Sequence, residues 1–209
     1  MTPASFDVVL LAASQGGLRV CRQLAAVLPV DFPAAVIYAQ HRSPGASMAV
    51  VDLLARSCAL DVRIGVHGLA LTPGTFVVPP ADAHVGVSPQ RRLTLTSGAP
   101  GTQLADELFA SAAAVYGPRT LAVVLTGRLR DGMHGVQAVK AAGGRVIVQD
   151  PGTAEQRSMP WNALATGCVD LVLDPAHIAD ALVALVSVPG AAELFEVRRG
   201  SWAVSPSGV

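Results

Sequence analysis

Three side chains in this 209-residue sequence have the types that acyl transfer requires. Ser14 offers a hydroxyl nucleophile, His41 an imidazole base, and Asp131 a carboxylate able to orient that imidazole. Each stands just past a short apolar run: Ser14 after Val8 to Ala13, His41 after Ala34 to Ala39, and Asp131 in the loop Thr126-Gly127-Arg128-Leu129-Arg130-Asp131-Gly132 after Leu121 to Leu125. In a doubly wound sheet the loops at the carboxyl ends of the strands collect in one crevice, so these positions could meet. Ser14 then lies at a helix N-terminus, where free N–H groups and the helix dipole stabilise a developing oxyanion. The Gly16-Gly17 pair lets a substrate carbonyl approach the main chain closely. Singly, each residue also has a structural reading, because Ser is a common helix N-cap, a strand-end His often satisfies a polar neighbour, and Asp before Gly is a frequent turn or cap. It is the conjunction of three suitable types at three strand ends that points to chemistry.

The elements that must position them follow from hydrophobic pattern. Short apolar segments alternate with helical periodicity along most of the chain, which predicts an α/β fold: a doubly wound, mainly parallel sheet with helices on both faces, in a Rossmann-like three-layer arrangement. Strands are expected at Asp7 to Ala12, Ala35 to Ala39, Thr120 to Leu125, Arg145 to Gln149 and around Asp170 to Leu173. Leu18, Cys21, Leu24, Ala25 and Leu28 mark a helix ending before Pro29, and further helices are expected from Ala46 to Ser57, Thr102 to Tyr116, Gly132 to Ala142, near Trp161, and from Pro175 to Val186. Between Asp61 and Thr96, Thr72-Pro73-Gly74, Pro79-Pro80 and Ser88-Pro89 punctuate short β-type runs, which reads as a small β excursion inserted into the layers. One domain, residues 1–189, and a tail, residues 190–209, is the simplest division.

Composition narrows the partners. With 51% hydrophobic and 14% charged residues the chain can bury a core, and 15 basic against 15 acidic side chains leave no net charge to hold a nucleic acid. No apolar run approaches the roughly 20 residues needed to span a bilayer, and no signal peptide precedes the first strand, so a cytoplasmic protein without membrane insertion is expected. Cys21, Cys58 and Cys168 are odd in number and lack metal spacing; neither a disulfide framework, a zinc site nor a cofactor is implied. His67, His134 and His177 read as solvated, and Arg91-Arg92 as an exposed strand-end pair. Neither a Walker loop nor G-x-G-x-x-G is present, which disfavours a nucleotide-binding module, and the serine segment departs from the G-x-S-x-G elbow of α/β hydrolases.

These residues carry a resemblance. Ala13-Ser14-Gln15-Gly16-Gly17 resembles the G-A-S-T-G-G segment of the chemotaxis protein-glutamate methylesterase family, Ala39-Gln40-His41-Arg42-Ser43-Pro44-Gly45 its Q-H-M-P-P-G segment, and Thr126 to Gly132 its T-G-M-G-x-D-G loop. Weaker echoes are Pro79 to His84, Ala105 to Phe109 and Ser158-Met159-Pro160. The resemblance implies a serine esterase in which Ser14 attacks a glutamyl methyl ester, His41 serves as base and then acid, and Asp131 orients the imidazole, with deamidation of receptor glutamines at the same site. It places the backbone N–H groups of Gln15 and Arg128 in an oxyanion hole and Gly16, Gly17, Gln40, Gly127, Arg130 and Met159 at the substrate. A methylated chemoreceptor or related signalling protein is the implied substrate, and a separate receiver protein or kinase a further partner, since only Met1 to Phe6 precede the first strand and leave no room for the family's receiver domain or its control in cis.

The departures from the family pattern are local. Gln15 replaces Thr, and Pro100 to Asp106 lacks the arginine of R-P-S-V-D. Trp161-Asn162 stands where R-E is common, and Arg128 and Arg130 bring two charges into a loop normally uncharged. If either arginine reaches Asp131 it competes with the imidazole for the carboxylate. A changed acyl substrate is one consequence; an alternative is a regulatory or binding module of a signalling system whose esterase activity is weak or lost.

Overall fold

The structure, a computed structural model, describes residues 5–43, 47–98, 103–188 and 190–191. Its centre is β1 (Val8–Ala13), six consecutive buried residues, as expected of a parallel strand covered on both faces. Gly16, in the left-handed conformation at φ 80°, turns the chain into α1 (Gly17–Ala25), which buries Val20, Cys21, Leu24 and Ala25 against the sheet. The chain continues through β2 (Ala35–Gln40), α2 (Ser47–Ala55), β3 (Asp61–Ile64) and β4 (Thr75–Val78). Then come β5 (Ala83–Val87), β6 (Leu93–Ser97), α3 (Leu104–Tyr116), β7 (Thr120–Val124), α4 (Met133–Ala141), β8 (Arg145–Gln149), α5 (Ser158–Ala165), β9 (Leu171–Leu173) and α6 (Pro175–Ser187).

Seven strands form one sheet in the order β3-β4-β2-β1-β7-β8-β9, and every pair is parallel. Alternate residues of each strand feed two apolar layers. Val9, Leu11, Val36, Tyr38, Phe76 and Val123 pack under α1, α2 and α6. Val8, Leu10, Ile37, Val77, Val124 and Val148 pack under α3, α4 and α5. The chain reverses direction of travel between β1 and β7, which makes their carboxyl ends the switch point at which such sheets open a crevice.

The β excursion is smaller than the punctuation suggests. Asp61–Ile64 and Thr75–Val78 are strands of the main sheet, joined in parallel to it, and only the antiparallel pair Ala83–Val87 with Leu93–Ser97 stands apart. The short, Pro-bounded apolar runs look alike in sequence; what separates them is partner choice, since β4 reaches β2 while β5 and β6 satisfy each other. Val85, Val87 and Leu93 of this hairpin pack on the α3 side of the core. Of the expected elements, Pro44 to Ala46, Pro100 to Thr102 and residues 192–209 of the tail lie outside the described residues.

Candidate active site

The register of three strands brings the site together. Ala13 of β1 pairs with Gln40 of β2, so Ser14 and His41 are the next residues on neighbouring strands, one strand spacing of about 4.8 Å apart in the backbone. His41 N–H donates to the Ala13 carbonyl at 3.2 Å, and the buried Gln40 amide donates to the Ser14 carbonyl at 3.0 Å. On the other flank Ala12 pairs with Val124 of β7, and Ser14 N–H donates to the Thr126 carbonyl at 3.0 Å. Ser14 is therefore held between the base-bearing strand and the loop that carries Asp131.

Asp131 is 4% exposed and fully engaged. Its Oδ2 accepts from His41 Nε2 at 2.6 Å, and its two oxygens accept from Ala105 N–H at 2.9 and 3.1 Å and from Asp106 N–H at 3.1 Å. Ala105 and Asp106 belong to the first turn of α3, whose N–H groups have no partner within the helix. A carboxylate from a different segment thus caps α3 and meets the positive end of its dipole. The carboxylate meets Nε2, which leaves Nδ1 as the ring nitrogen without a protein partner among the described residues.

Ser14 is not a helix cap. The N-cap of α1 is Gly16, and no side chain caps that helix. Among the described residues Ser14 Oγ has no hydrogen-bond partner, and none joins it to His41. Ser14 N–H and Gly17 N–H are occupied, the latter by the Ser14 carbonyl at 3.1 Å, and Gly127 N–H by the Gln156 carbonyl at 3.0 Å, while Gln15 N–H and Arg128 N–H donate to no protein acceptor among the described residues. Gly127 is required by close approach: a Cβ there would lie 2.1 Å from Met159 Sδ and 2.9 Å from Ser14 Cβ. Met159 itself is 1% exposed, so it backs the Gly127 loop from inside the core and offers no surface to a substrate, contrary to the expectation for it. Gln40, equally expected at the substrate, spends its amide on the Ser14 carbonyl.

Neither Arg128 nor Arg130 reaches Asp131. Both are exposed, and neither makes an ion pair among the described residues. Asp131 is closed off by its own ligands, so no competition with the imidazole arises. A cavity of about 680 Å³ opens beside this loop, lined by Leu129, Arg130, Met133, His134, Ser158 and Asn162 among others; neither Ser14 nor His41 lines it. A second, of about 470 Å³, is bordered by Arg157, Ser158 and Trp161. Gln15 Nε2 donates to Glu155 at 3.4 Å at the opposite edge of the serine turn.

Several contributors carry no signal in their residue types. The Ala105 and Asp106 N–H groups that hold Asp131 are backbone, and Asn162, which donates to the Leu129 carbonyl at 2.9 Å and to Ser158 at 2.8 Å, reads in sequence only as a departure. Arg42, next to His41, is pushed down from its usual value by burial; its guanidinium donates to the Gln40 carbonyl and Ser47 Oγ, each at 3.2 Å, and to the Pro79 carbonyl. His84 meets Glu107 at 2.8 Å, and His177 helps Asp174 cap α6. Exposed His134 lies 3.4 Å from Asp106. No group of three or more His, Cys, Asp or Glu side chains among the described residues is placed to hold a metal ion.

Comparison with known proteins bears on the whole arrangement. The family model for CheB methylesterase matches residues 9–182. Protein-glutamate methylesterase FrzG of Myxococcus xanthus is 35% identical over 190 residues, covering 89% of this chain and 57% of the relative. A protein-glutamate methylesterase/protein-glutamine glutaminase of Anaeromyxobacter dehalogenans is 39% identical over 183 residues, 84% of this chain and 52% of the relative. The chain thus spans about half the length of the curated relatives it matches. The crystal structure of the Thermotoga maritima CheB methylesterase catalytic domain superposes with a TM-score of 0.82 at 31% identity, covering 87% of this chain and 100% of that one.

Proposed function

The chain belongs to the CheB methylesterase family, and on that premise we propose that it is a carboxylic ester hydrolase that cleaves glutamyl methyl esters of a signalling protein such as a chemoreceptor. The observation that carries the reading is the 2.6 Å contact of His41 Nε2 with a buried, fully ligated Asp131, one strand away from Ser14. Asp131 holds the imidazole with its proton on Nε2, which leaves the Nδ1 lone pair as the base. Nδ1 takes the Ser14 Oγ proton as Oγ attacks the ester carbonyl, and the negative charge on the carbonyl oxygen is received by the unoccupied N–H groups of Gln15 and Arg128. Collapse of the tetrahedral intermediate breaks the bond to methoxide, which leaves as methanol with the proton from His41. Water, activated by the same nitrogen, then hydrolyses the acyl-enzyme to the free glutamate and restores Ser14. A glutamine side chain reacts by the same steps with ammonia as the leaving group, giving deamidation.

Gly127 lets the Asp131 loop pack against Ser14, Gly17 lets α1 start close against Ala13, and Arg130 lines the cavity on the far side of that loop. The cap on α3 accounts for the carboxylate alone; an imidazole held on it one strand from a serine hydroxyl with no hydrogen-bond partner among the described residues supports the enzyme over an inert binding module. A fluorophosphonate probe tests the reading: wild type is labelled, Ser14→Ala is not, and His41→Ala loses most of the signal. Equal labelling of wild type and Ser14→Ala removes the nucleophile. Methanol release from a methylated receptor identifies the substrate class.

A further inference from the structure

One residue beside the site stands in a conformation its side chain opposes. Leu129 has φ 71°, a left-handed backbone that glycine accepts freely and a branched side chain does not. Of the described non-glycine residues only Arg91 shares that sign. The family pattern T-G-M-G-x-D-G has glycine at this place. The Leu129 side chain gains no core contact in return, being 61% exposed on the wall of the 680 Å³ cavity, while Asn162 clamps its carbonyl and holds the turn. Strain kept at an exposed position beside a reactive centre points to use of that side chain.

Its surroundings say what it would meet. Arg128 and Arg130 flank it, exposed and without ion pairs among the described residues. Arg157 joins them from the neighbouring segment, which is tied to this loop by Gly127 N–H to Gln156 and Met159 N–H to Gly127, both at 3.0 Å. Trp161, 66% exposed, borders the adjoining cavity with Arg157. Two carboxylates border the same cavities and keep their charge while accepting backbone donors: Asp106 from Gly135 N–H at 2.6 Å and Asp150 from Gly152 N–H at 2.7 Å. Arg128, Arg130 and Arg157 are the charged side chains here with neither a hydrogen-bond acceptor nor an ion-pair partner among the described residues.

Building on the esterase reading, we propose that the Arg128-Leu129-Arg130 turn determines specificity: Leu129 contacts an apolar side chain of an acidic protein segment, and Arg128, Arg130 and Arg157 receive carboxylates that flank the ester. The test compares two synthetic peptides, each with one glutamyl methyl ester beside a leucine, one flanked by aspartates and the other by asparagines, with p-nitrophenyl acetate as a small ester. Wild type prefers the acidic peptide in kcat/KM by roughly threefold to tenfold at low salt, the range expected of a few exposed ion pairs. The ratio narrows at about 0.5 M salt and falls toward one in the double variant Arg130→Gln with Arg157→Gln. Leu129→Gly lowers kcat/KM on both peptides relative to p-nitrophenyl acetate, while its melting temperature stays level or rises by up to about 2 °C as strain is relieved. A fall in melting temperature with an unchanged peptide-to-acetate ratio shows the leucine to be structural and overturns its role. Cleavage of both peptides with no acidic preference overturns the proposal alone, and turnover of p-nitrophenyl acetate with neither peptide cleaved overturns the glutamyl ester substrate together with it. Wild type inert to all three substrates overturns the esterase reading and this proposal with it.

Discussion

Asp131→Asn separates the chemical from the structural role of this carboxylate. The native side chain serves two clients: Oδ1 accepts from Ala105 and Asp106 N–H, and Oδ2 accepts from Ala105 N–H and from His41 Nε2. Asparagine keeps one acceptor oxygen. Turned toward α3, that oxygen preserves most of the cap, and the cost is the charge on those bonds, about 1–2 kcal/mol. The amide NH2 then faces His41 Nε2 and forces that nitrogen to accept, which moves the imidazole proton to Nδ1, the nitrogen needed as base. Turned the other way, the amide presents donors to the α3 donors and the helix end is left unsatisfied. The first arrangement is favoured, so the variant folds with the wrong tautomer. Loss of the base by tautomer, with geometry intact, lowers turnover by about 10³- to 10⁴-fold. The assay is initial-rate hydrolysis of an activated ester, with thermal melting on the same samples. A variant that melts within a few degrees of wild type yet retains activity within about tenfold refutes the claim that Asp131 sets the protonated nitrogen through Nε2.

Further outcomes follow from particular contacts. Gly127→Ala forces its Cβ against Met159 Sδ and Ser14 Cβ and displaces the serine turn, so ester hydrolysis falls by at least about 10²-fold with a smaller loss of stability; activity close to wild type in a rate assay contradicts the close approach. Arg42→Met removes the donors to Gln40, Ser47 and Pro79 and loosens the segment after β2, costing about 1–3 kcal/mol in urea unfolding and lowering activity through His41; an unchanged midpoint refutes this. Asp7 is held below the usual carboxylate range chiefly by its hydrogen bond from Arg119, against the opposing effect of burial, with the Arg119 and Arg91 charges adding. A depressed value stabilises the fold above the unfolded pKa of about 4 and loses that stability as pH falls through the folded value, so Asp7→Asn costs about 1 kcal/mol at pH 7 and the gap closes in acid. Urea midpoints that differ equally at pH 7 and pH 3 contradict that linkage.

Most of the layered fold is visible in the sequence because buried parallel strands write themselves as continuous apolar runs, as Val8–Ala13 and Thr120–Val124 do. Partner choice is not written in the same way. Asp61–Ile64 has only intermediate and exposed residues, yet it pairs with β4 at the sheet edge, and nothing local distinguishes it from the hairpin strands. For the site, residue types at strand ends single out Ser14, His41 and Asp131, since those positions converge wherever a sheet of this kind switches direction. The ring nitrogen that meets the carboxylate is invisible at that level, because it depends on how the backbone donors of α3 hold Asp131. Met159 shows the converse: its place in a motif suggests contact with substrate, whereas its volume is used to fill the space behind Gly127.

The bridge from Asp131 to α3 also bears on how such a protein could lose its chemistry over generations. Ser14 Oγ supports nothing else among the described residues, so drift at that position would meet little resistance from folding. Asp131 is different, since removing it strips the cap from a helix that, with α4 and α5, covers one layer of the core. A descendant released from selection for turnover is therefore expected to shed its nucleophile early and to go on displaying the aspartate, as a relic maintained by architecture.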